Sequence, residues 1–283
     1  MNEPSEAQIL AALDESGYLF EQEVADSLEA HEFHVETSWA FRDLDSDKSR
    51  EIDVKAVRRL VHDEVNKVAI FVELLVECKA FDSPLVFLER PKNQREILHV
   101  QPSEYVFPVR EYRRVVSPTS YEPISPFDYL DLRGHHYFYS ENMKATQFSK
   151  IVRKGEKWTA NHDGIYDSLI LPLAKLLEFR RASVVKDMNG SSWKYVWLFF
   201  PMVVLRQSLF ALNLSESSRK LEARNRISFV RHIQSGNLTG FYLTDFVVFS
   251  HLHNFIRNEL MPFADQVVEI HASDPKKLLN SNP

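Results

Sequence analysis

The clearest pattern of apolar and polar positions in the chain is the segment Ala69 to Phe81, AIFVELLVECKAF. Its length and its β-branched residues predict a strand buried on both faces of a sheet. The segment closes with Glu77, Cys78 and Lys79, and alternation places Glu77 and Lys79 on one face and Cys78 on the other. A carboxylate and an ammonium at the end of a buried strand are costly unless they are paired or bind a ligand. This end of the strand is therefore the first candidate for a functional site.

The segments before this strand predict one helical region and two further strands. Apolar positions at i, i+3 and i+4 predict helix over Glu6 to Phe33, with a break near Ser16-Gly17. Strands are predicted over Phe33 to Phe41 and over Glu51 to Val57, joined by a polar turn rich in Asp and Ser. A helix followed by three strands is typical of a compact α+β or mixed α/β core.

The following region has a different pattern. Residues 82–140 are rich in Pro, Tyr and Arg and lack strong periodicity, which predicts an ordered but irregular insertion. Within it, arginines lie among aromatic residues, an arrangement that suits either base stacking with phosphate binding or a packing surface with a solvated edge; we favour the packing surface. The residues are Arg110, Arg113 and Arg114, with Tyr105, Phe107 and Tyr112.

A short basic stretch, Ala145 to Lys157, predicts a helix up to Gly155. Its cations form the best candidate phosphate-binding stripe in the chain, and the alternative interpretation is a solvated helix end. They are Lys150, Arg153, Lys154 and Lys157. The run Ser218 to Arg231 is a second basic candidate.

The remaining pattern predicts a helix over Ile165 to Arg181, kinked at Pro172, that crosses over the sheet. Strands are predicted over Trp193 to Arg206, Ser208 to Leu214 and Gly240 to Ser250, with a helix over His251 to Met261. The fold class is therefore mixed α/β, a central mixed β-sheet flanked by helices. We expect a core domain over residues 6–205, with the insertion at 82–160, and a C-terminal α+β extension over residues 206–283 packed on it.

The amino-acid composition argues against several kinds of cofactor and structural site. Seven glycines and no Gly-rich fingerprint argue against a nucleotide cofactor, and the single cysteine excludes an intramolecular disulfide framework and a cysteine-based zinc site. The net charge of −6 conceals an acidic head, because residues 1–49 contain thirteen acidic and two basic residues while the remainder carries a net charge of +5. With neither a secretory signal nor a membrane-spanning segment in the pattern, we expect a soluble, cytoplasmic protein with no membrane partner.

Two carboxylates are expected to meet near the end of the candidate strand. If the hairpin strands pair in the simplest register, Asp53 and Glu77 approach each other on one face. Such carboxylates repel, so one takes up a proton unless a cation joins them. Magnesium is the natural cation, because it prefers carboxylate and carbonyl oxygens. Glu21 lies at the edge of the inward stripe of its helix, where it is either a further ligand or a solvated helix glutamate.

Residues 15–81 resemble the PD-(D/E)xK nuclease superfamily, in its restriction-endonuclease-like and Holliday-junction-resolvase-like forms. The resemblance rests on Glu21 after GYLF, on Asp53 in REIDV and on Glu77 and Lys79 in VECKA. One departure is Ile52, which stands where the motif usually has proline.

The resemblance implies a restriction-endonuclease-like core and a role for each motif residue. Asp53 and Glu77 would bind Mg²⁺, for which Mn²⁺ can substitute, and the main-chain carbonyl of Cys78 would add a ligand. Lys79 would serve the attacking water or the charge of the transition state, and Glu21 would complete the site.

The function that follows is a metal-dependent nuclease that hydrolyses phosphodiester bonds in DNA, in bacterial defence or DNA processing by analogy only. One alternative is a nuclease-fold module that binds nucleic acid without cutting it. Another is a non-enzymatic scaffold in which Glu77 and Lys79 form an ordinary ion pair. A homodimer, or a protein partner bound through the insertion, is a further expectation.

Overall fold

The structure is a computed structural model that describes residues 3–80 and 83–279. The helices are α1 (Glu6–Ser16), α2 (Tyr18–Glu29), α3 (Gln94–His99), α4 (Pro126–Tyr129), α5 (Ile165–Met188), α6 (Phe249–Phe255), α7 (Met261–Ser273) and α8 (Pro275–Leu279). The strands are β1 (His34–Arg42), β2 (Ser49–Asp63), β3 (Val68–Lys79), β4 (Leu85–Pro91), β5 (Tyr105–Val106), β6 (Tyr112–Ser117), β7 (Ser120–Ile124), β8 (Met143–Lys154), β9 (Lys157–Asn161), β10 (Lys194–Leu205), β11 (Leu209–Asn213), β12 (Leu221–Arg224), β13 (Arg226–Ser235) and β14 (Leu238–Val248).

A mixed sheet of twelve strands forms the centre of the molecule, in the order β1-β2-β3-β10-β14-β13-β8-β4-β11-β12. Strands β1, β2 and β3 are antiparallel neighbours, and β3 then pairs in parallel with β10. Strand β5 adds to β10 and β9 adds to β8, while β6 and β7 form a separate hairpin. The prediction of a mixed α/β fold with a large central sheet flanked by helices is confirmed.

Helices cover both faces of the sheet because its central strands are apolar on both sides. The alternate residues Val72, Leu74 and Val76 of β3 lie in one hydrophobic cluster with residues of α2, α6 and α7. Leu75 lies in a second cluster with the buried stripe of α5. Helix α5 follows the insertion and precedes β10, so it is the crossover helix that the sequence predicts, although it extends seven residues further, to Met188.

Strand β10 is continuous through Pro201, which would normally interrupt a central strand by removing a ladder donor. The Phe199 N–H donates to the main-chain carbonyl of Glu104, which directly precedes β5. Backbone N–H groups two positions apart on a strand point to the same edge, so the nitrogen of Pro201 also faces the β5 side of β10. On that edge the pairing with β5 ends at Leu198 and the pairing with β14 begins at Met202. The proline therefore lies in the gap between two partners, where the missing N–H costs no ladder bond.

The break in the first helical region is confirmed. Gly17 adopts a left-handed conformation with φ of 86° and ends α1, and α2 begins at the next residue. A residue with a side chain would be strained there, so glycine fixes the angle at which the two helices meet. Strands β1, β3, β10, β11 and β14 also lie where the sequence predicts them, within a few residues. Phe81, which the prediction for β3 includes, lies outside the described residues.

Two expectations are wrong in detail. Residues 145–157 form no helix; they belong to β8, a turn at Gly155 and the beginning of β9. The 82–160 region is also less irregular than expected, because β4 and β8 pair over most of their lengths within the main sheet. Long-range strand pairing overrides the weak local pattern in both cases.

The three aromatic residues that lie among the arginines of the insertion are core residues. Tyr105, Phe107 and Tyr112 are all less than 9% exposed, so they do not present rings to bases. The interpretation of these rings as a packing surface is confirmed. Among the described residues, no helix is both long enough and apolar enough to cross a membrane.

Candidate active site

Three of the predicted catalytic residues are in direct contact. The Lys79 ammonium lies 2.6 Å from Glu77 Oε2 and 3.5 Å from Asp53 Oδ2, so one cation bridges two carboxylates. The Glu77 side chain is 8% exposed, and those of Asp53 and Lys79 are each about a quarter exposed. The cluster lies at the C-terminal end of β3 and near the N-terminal end of β2.

A local divergence of the strands places Asp53 in this cluster. The paired register of β2 and β3 begins at Val54 opposite Val76. In a regular strand Ile52 and Val54 would lie on the same face, because they are two positions apart. They lie instead in hydrophobic clusters on opposite faces of the sheet, so the backbone of β2 twists at Asp53. Asp53 Oδ2 accepts a hydrogen bond of 2.7 Å from the Cys78 N–H. The aspartate side chain thus takes the place of a backbone partner where the two strands separate.

The same geometry determines the direction in which the main-chain carbonyl of Cys78 points. The N–H and C=O of a strand residue point to the same edge, so a Cys78 N–H that meets Asp53 implies a carbonyl on the side of Asp53. The thiol points away, into the cluster that contains α2. Burial, followed by the charges of Asp53 and Glu21, raises the pKa of the thiol. The carbonyl is thus the Cys78 group best placed to bind a cation beside Asp53.

The cluster contains two carboxylates and only one ammonium group. Burial raises the pKa of Glu77 to about 7, the positive charge of Lys79 opposes this rise, and the negative charge of Asp53 adds to it. Burial alone would lower the pKa of Lys79, but the charges of Glu77 and Asp53 outweigh it and raise that pKa. Two carboxylates therefore compete for one ammonium, and Glu77 takes up a proton far more readily than a solvated glutamate.

Glu21 lies on α2, close enough to the cluster to interact with it electrostatically. Burial raises its pKa, the charge of Asp53 raises it further and the charge of Lys79 lowers it. Its helix neighbours Phe20 and Val24 are fully buried, and Glu21 itself is half-buried at the edge of that face. The structure thus places the fourth predicted residue at the periphery of the cluster.

One residue that sequence reasoning missed connects the end of β3 to the helices. The Arg206 N–H donates to the Lys79 carbonyl at 3.1 Å. Its guanidinium bonds Asp14 of α1 and Glu23 of α2 and lies over the Phe20 ring. Arg206 therefore fixes the helix that carries Glu21 relative to Lys79. An arginine directly after an apolar strand is a weak signal, because its two acidic partners are about 190 residues away in sequence.

The residues predicted to bind nucleic acid lie on one β-hairpin, formed by β8 and β9. Arg153, Lys154 and Lys157 are exposed, and Lys150 is half-buried. The second basic candidate is different, because Arg226 is only 11% exposed and contacts the carboxylates of Glu141 and Glu259. The run 218–231 is therefore not a uniform phosphate-binding patch.

The donor set suits a hard cation in its chemistry. Carboxylate oxygens of Asp53 and Glu77 and a main-chain carbonyl are the ligand types that Mg²⁺ prefers. In residues 3–80 and 83–279, no group of three or more His, Cys, Asp or Glu side chains is placed to hold a metal ion. With the Lys79 ammonium between the carboxylates, a metal ion would require this side chain to move aside. The cluster therefore suits Mg²⁺ in the type of its ligand atoms and in its negative charge.

Comparisons with family models, with curated proteins and with solved structures each give no match for this chain.

Proposed function

We propose that this chain is a divalent-metal-dependent nuclease of the PD-(D/E)xK type. The observation that carries the proposal is the contact of Lys79 with both Asp53 and Glu77 at the end of a buried strand. Three residues that the sequence motif separates by up to 26 positions meet at one point, and an ordinary buried ion pair needs only two of them. Burial, with a further contribution from the charge of Asp53, raises the pKa of Glu77, and the excess of carboxylate over ammonium would give the cluster affinity for a further cation.

Each residue would have a distinct task. Asp53 and Glu77 would hold the metal, with the Cys78 carbonyl as a third ligand and Glu21 at the periphery. Magnesium at such a site withdraws charge from the scissile phosphate and makes a water molecule more acidic. Once released from the carboxylates, the Lys79 ammonium would donate hydrogen bonds to the attacking water or to the phosphoryl oxygen on which charge develops. Asp53 is anchored to β3 by the Cys78 N–H, so it is held in position before the metal binds.

The direct test measures cleavage of supercoiled and linear DNA by the full chain with Mg²⁺, and with chelator as the blank. Asp53→Ala and Lys79→Ala should each reduce the rate by on the order of 10²–10³ or more, because each removes a positioned ligand or donor. Circular dichroism should show that both variants remain folded.

The opposite end of the same hairpin provides matched controls. Lys67 and Glu64 form a carboxylate–ammonium pair at 2.9 Å, but both are about half exposed or more. Glu64→Ala and Lys67→Ala should therefore cleave at the wild-type rate. A wild-type rate in Asp53→Ala or Lys79→Ala would falsify the proposal.

Metal binding provides a second readout that does not depend on the substrate. Mn²⁺ titrated into the full chain should lose its free-ion paramagnetic resonance signal as it binds, and Asp53→Ala should abolish this loss. The closed contact of Lys79 with two carboxylates favours one alternative, an inactive nuclease-fold module. Retained DNA binding with no Mn²⁺ uptake and no cleavage would select that module.

A further inference from the structure

The β8–β9 hairpin combines cations with an exposed indole. Residues 150–161 contain four cations and one carboxylate, Glu156. Trp158 is 66% exposed, a large fraction for a residue that proteins normally keep at least partly covered. Packing of the core therefore does not explain why a tryptophan occupies this position.

The strand register separates the hairpin into two chemical faces. Arg153 is directly opposite Trp158, and Lys154 is directly opposite Lys157. Because neighbouring side chains point to opposite faces, one face presents the indole with a guanidinium and the other presents two ammonium groups. Like charges directly opposite each other destabilise a strand pair unless an anion lies between them. The lysine face is thus built for phosphate and the tryptophan face for a ring.

The β8–β9 hairpin begins beside the start of β4, the first strand after β3 in the chain. Lys150 pairs with Leu85, the first residue of β4, and the Ile151 N–H bonds the Pro84 carbonyl. Beyond that point β8 continues past the beginning of β4 as far as Lys154. Leu85 lies six positions after Lys79 in the sequence, a span of at most about 20 Å. Arg153 and its partner Trp158 lie three positions beyond Lys150, about 10 Å further, so a strand that contacts both the cluster and Trp158 spans at most on the order of 30 Å.

We infer that the β8–β9 hairpin binds single-stranded nucleic acid, with Trp158 stacked on an unpaired base and Lys154 and Lys157 on the backbone. The base face is available only where a base is unpaired, because a continuous duplex keeps its base faces stacked on each other. The substrate class that follows is a strand with accessible bases, such as a single-stranded tail. This inference rests on the proposed function for the kind of partner, but it concerns binding rather than cleavage.

The test measures the affinity of the full chain for a fluorescently labelled dT₁₅ oligonucleotide by anisotropy, in chelator so that no cleavage occurs. Trp158→Ala should weaken binding roughly ten- to a hundredfold, since stacking of one base on an aromatic ring is lost. Trp158→Phe should restore most of the affinity. Tyr121→Ala is the matched control, because Tyr121 is 56% exposed on the other hairpin, β6–β7, and its loss should leave the affinity unchanged.

Salt dependence separates the two faces. Lys154→Ala and Lys157→Ala should each reduce the slope of log K against log salt by about 0.7, as expected for one lost phosphate contact on a single strand. Trp158→Ala should leave that slope unchanged. An abasic strand of the same length should bind the wild-type chain as weakly as dT₁₅ binds Trp158→Ala.

Equal affinity of Trp158→Ala and wild type for dT₁₅, or an affinity for blunt duplex equal to that for dT₁₅, would overturn the inference. These results are distinct from a failure of the proposed function. Binding that depends on Trp158 without any metal-dependent cleavage would remove the nuclease and keep the hairpin site. Cleavage that depends on Asp53, together with equal affinity of Trp158→Ala and wild type for dT₁₅, would do the reverse.

Discussion

Glu73 and Glu77 are two buried glutamates, four residues apart on β3, and alternation places both on the face toward α5. Both lie within one apolar strand, but only Glu77 belongs to the sequence motif with Asp53 and Lys79. Their partners differ in number, charge and geometry. The comparison shows how one strand can carry a structural ion pair and a candidate reaction centre side by side.

Both carboxylate oxygens of Glu73 have a charged hydrogen-bond donor. Arg180 of α5 donates to both of its carboxylate oxygens, at 2.6 and 2.8 Å, in a bidentate pair. The guanidinium lies over the rings of Trp39 and Trp197 as well. One carboxylate thus meets one cation with matched geometry, and the ion pair fixes the crossover helix to the sheet.

The environment of Glu77 has an excess of negative charge. It shares a single ammonium, that of Lys79, with Asp53. A lysine is a flexible point charge that forms no fixed fork, so it can leave and return more easily than Arg180. We therefore expect substitutions at Glu73 to affect the stability of the fold and substitutions at Glu77 to affect metal binding and catalysis.

The largest effect on stability should follow from Arg180→Met. The substitution leaves the fully buried Glu73 carboxylate without a cation, which typically costs about 3–5 kcal/mol of unfolding free energy. Urea denaturation measures the loss. The double variant Glu73→Met with Arg180→Met should recover most of it, because an apolar pair of similar volume avoids the buried charge. A loss below about 1 kcal/mol in Arg180→Met would remove the contrast with Glu77.

Lys79→Met should show the reverse balance. Glu77 can take up a proton when the ammonium is lost, so at pH 6 the loss of stability should be less than about half of that for Arg180→Met. Cleavage should nevertheless fall by on the order of 10²–10³. The ratio of the two effects, from denaturation and initial rates on the same preparations, is the measurement. A variant that loses stability as strongly as Arg180→Met would mark Lys79 as a structural residue.

The candidate cluster was largely predictable from sequence because its geometry is local. Alternation along one strand puts Glu77 and Lys79 on the same face, and the hairpin register, paired from Val54 and Val76 onward, brings Asp53 near Glu77 although the strands separate there. These inferences need only strand periodicity and a short connection. The connection is short because β2 extends to Asp63, six residues beyond the predicted end of this strand at Val57.

Features that depend on distant partners were not predictable. The pairing of Lys150 with Leu85 joins residues 65 positions apart, and it converts a stretch expected to be helical into β8. The bidentate contact of Arg180 with Glu73 spans 107 positions. Nothing in the periodicity of either segment encodes such a partner, because each local pattern fits more than one structure. The same is true of Trp158, whose exposure becomes visible only once the hairpin is formed.

The pH dependence of stability offers a finer test of the excess charge. Because the pKa of Glu77 is raised to about 7 from an ordinary 4.5, the folded chain holds a proton that the unfolded chain releases earlier. The unfolding free energy therefore falls as pH rises from 4.5 to 7, by up to about 3 kcal/mol from this residue. Glu77→Gln should remove that part of the decline in metal-free buffer.

The measured quantity is the difference in unfolding free energy between wild type and Glu77→Gln as a function of pH. Burial also raises the pKa of Glu104 to about 7 and that of Asp245 to about 6, so both add to the wild-type slope in the same window. Glu64 is the control of opposite sign, because its hydrogen bonds to Lys67 and His62 lower its pKa. A Glu77→Gln profile parallel to that of wild type would show that folding does not raise the pKa of Glu77.

The smallest effect we expect is that of Glu21→Gln. Glu21 interacts with Asp53 and Lys79 through their charges, so its loss should weaken Mg²⁺ activation roughly tenfold, at the lower end of the range for residues that support metal ligands. The concentration of Mg²⁺ at half-maximal cleavage is the measurement. Glu29→Gln, at the exposed end of the same helix, is the matched control. If both variants need the same Mg²⁺ concentration as wild type, Glu21 is a solvated helix glutamate, and the metal depends on Asp53, Glu77 and the Cys78 carbonyl.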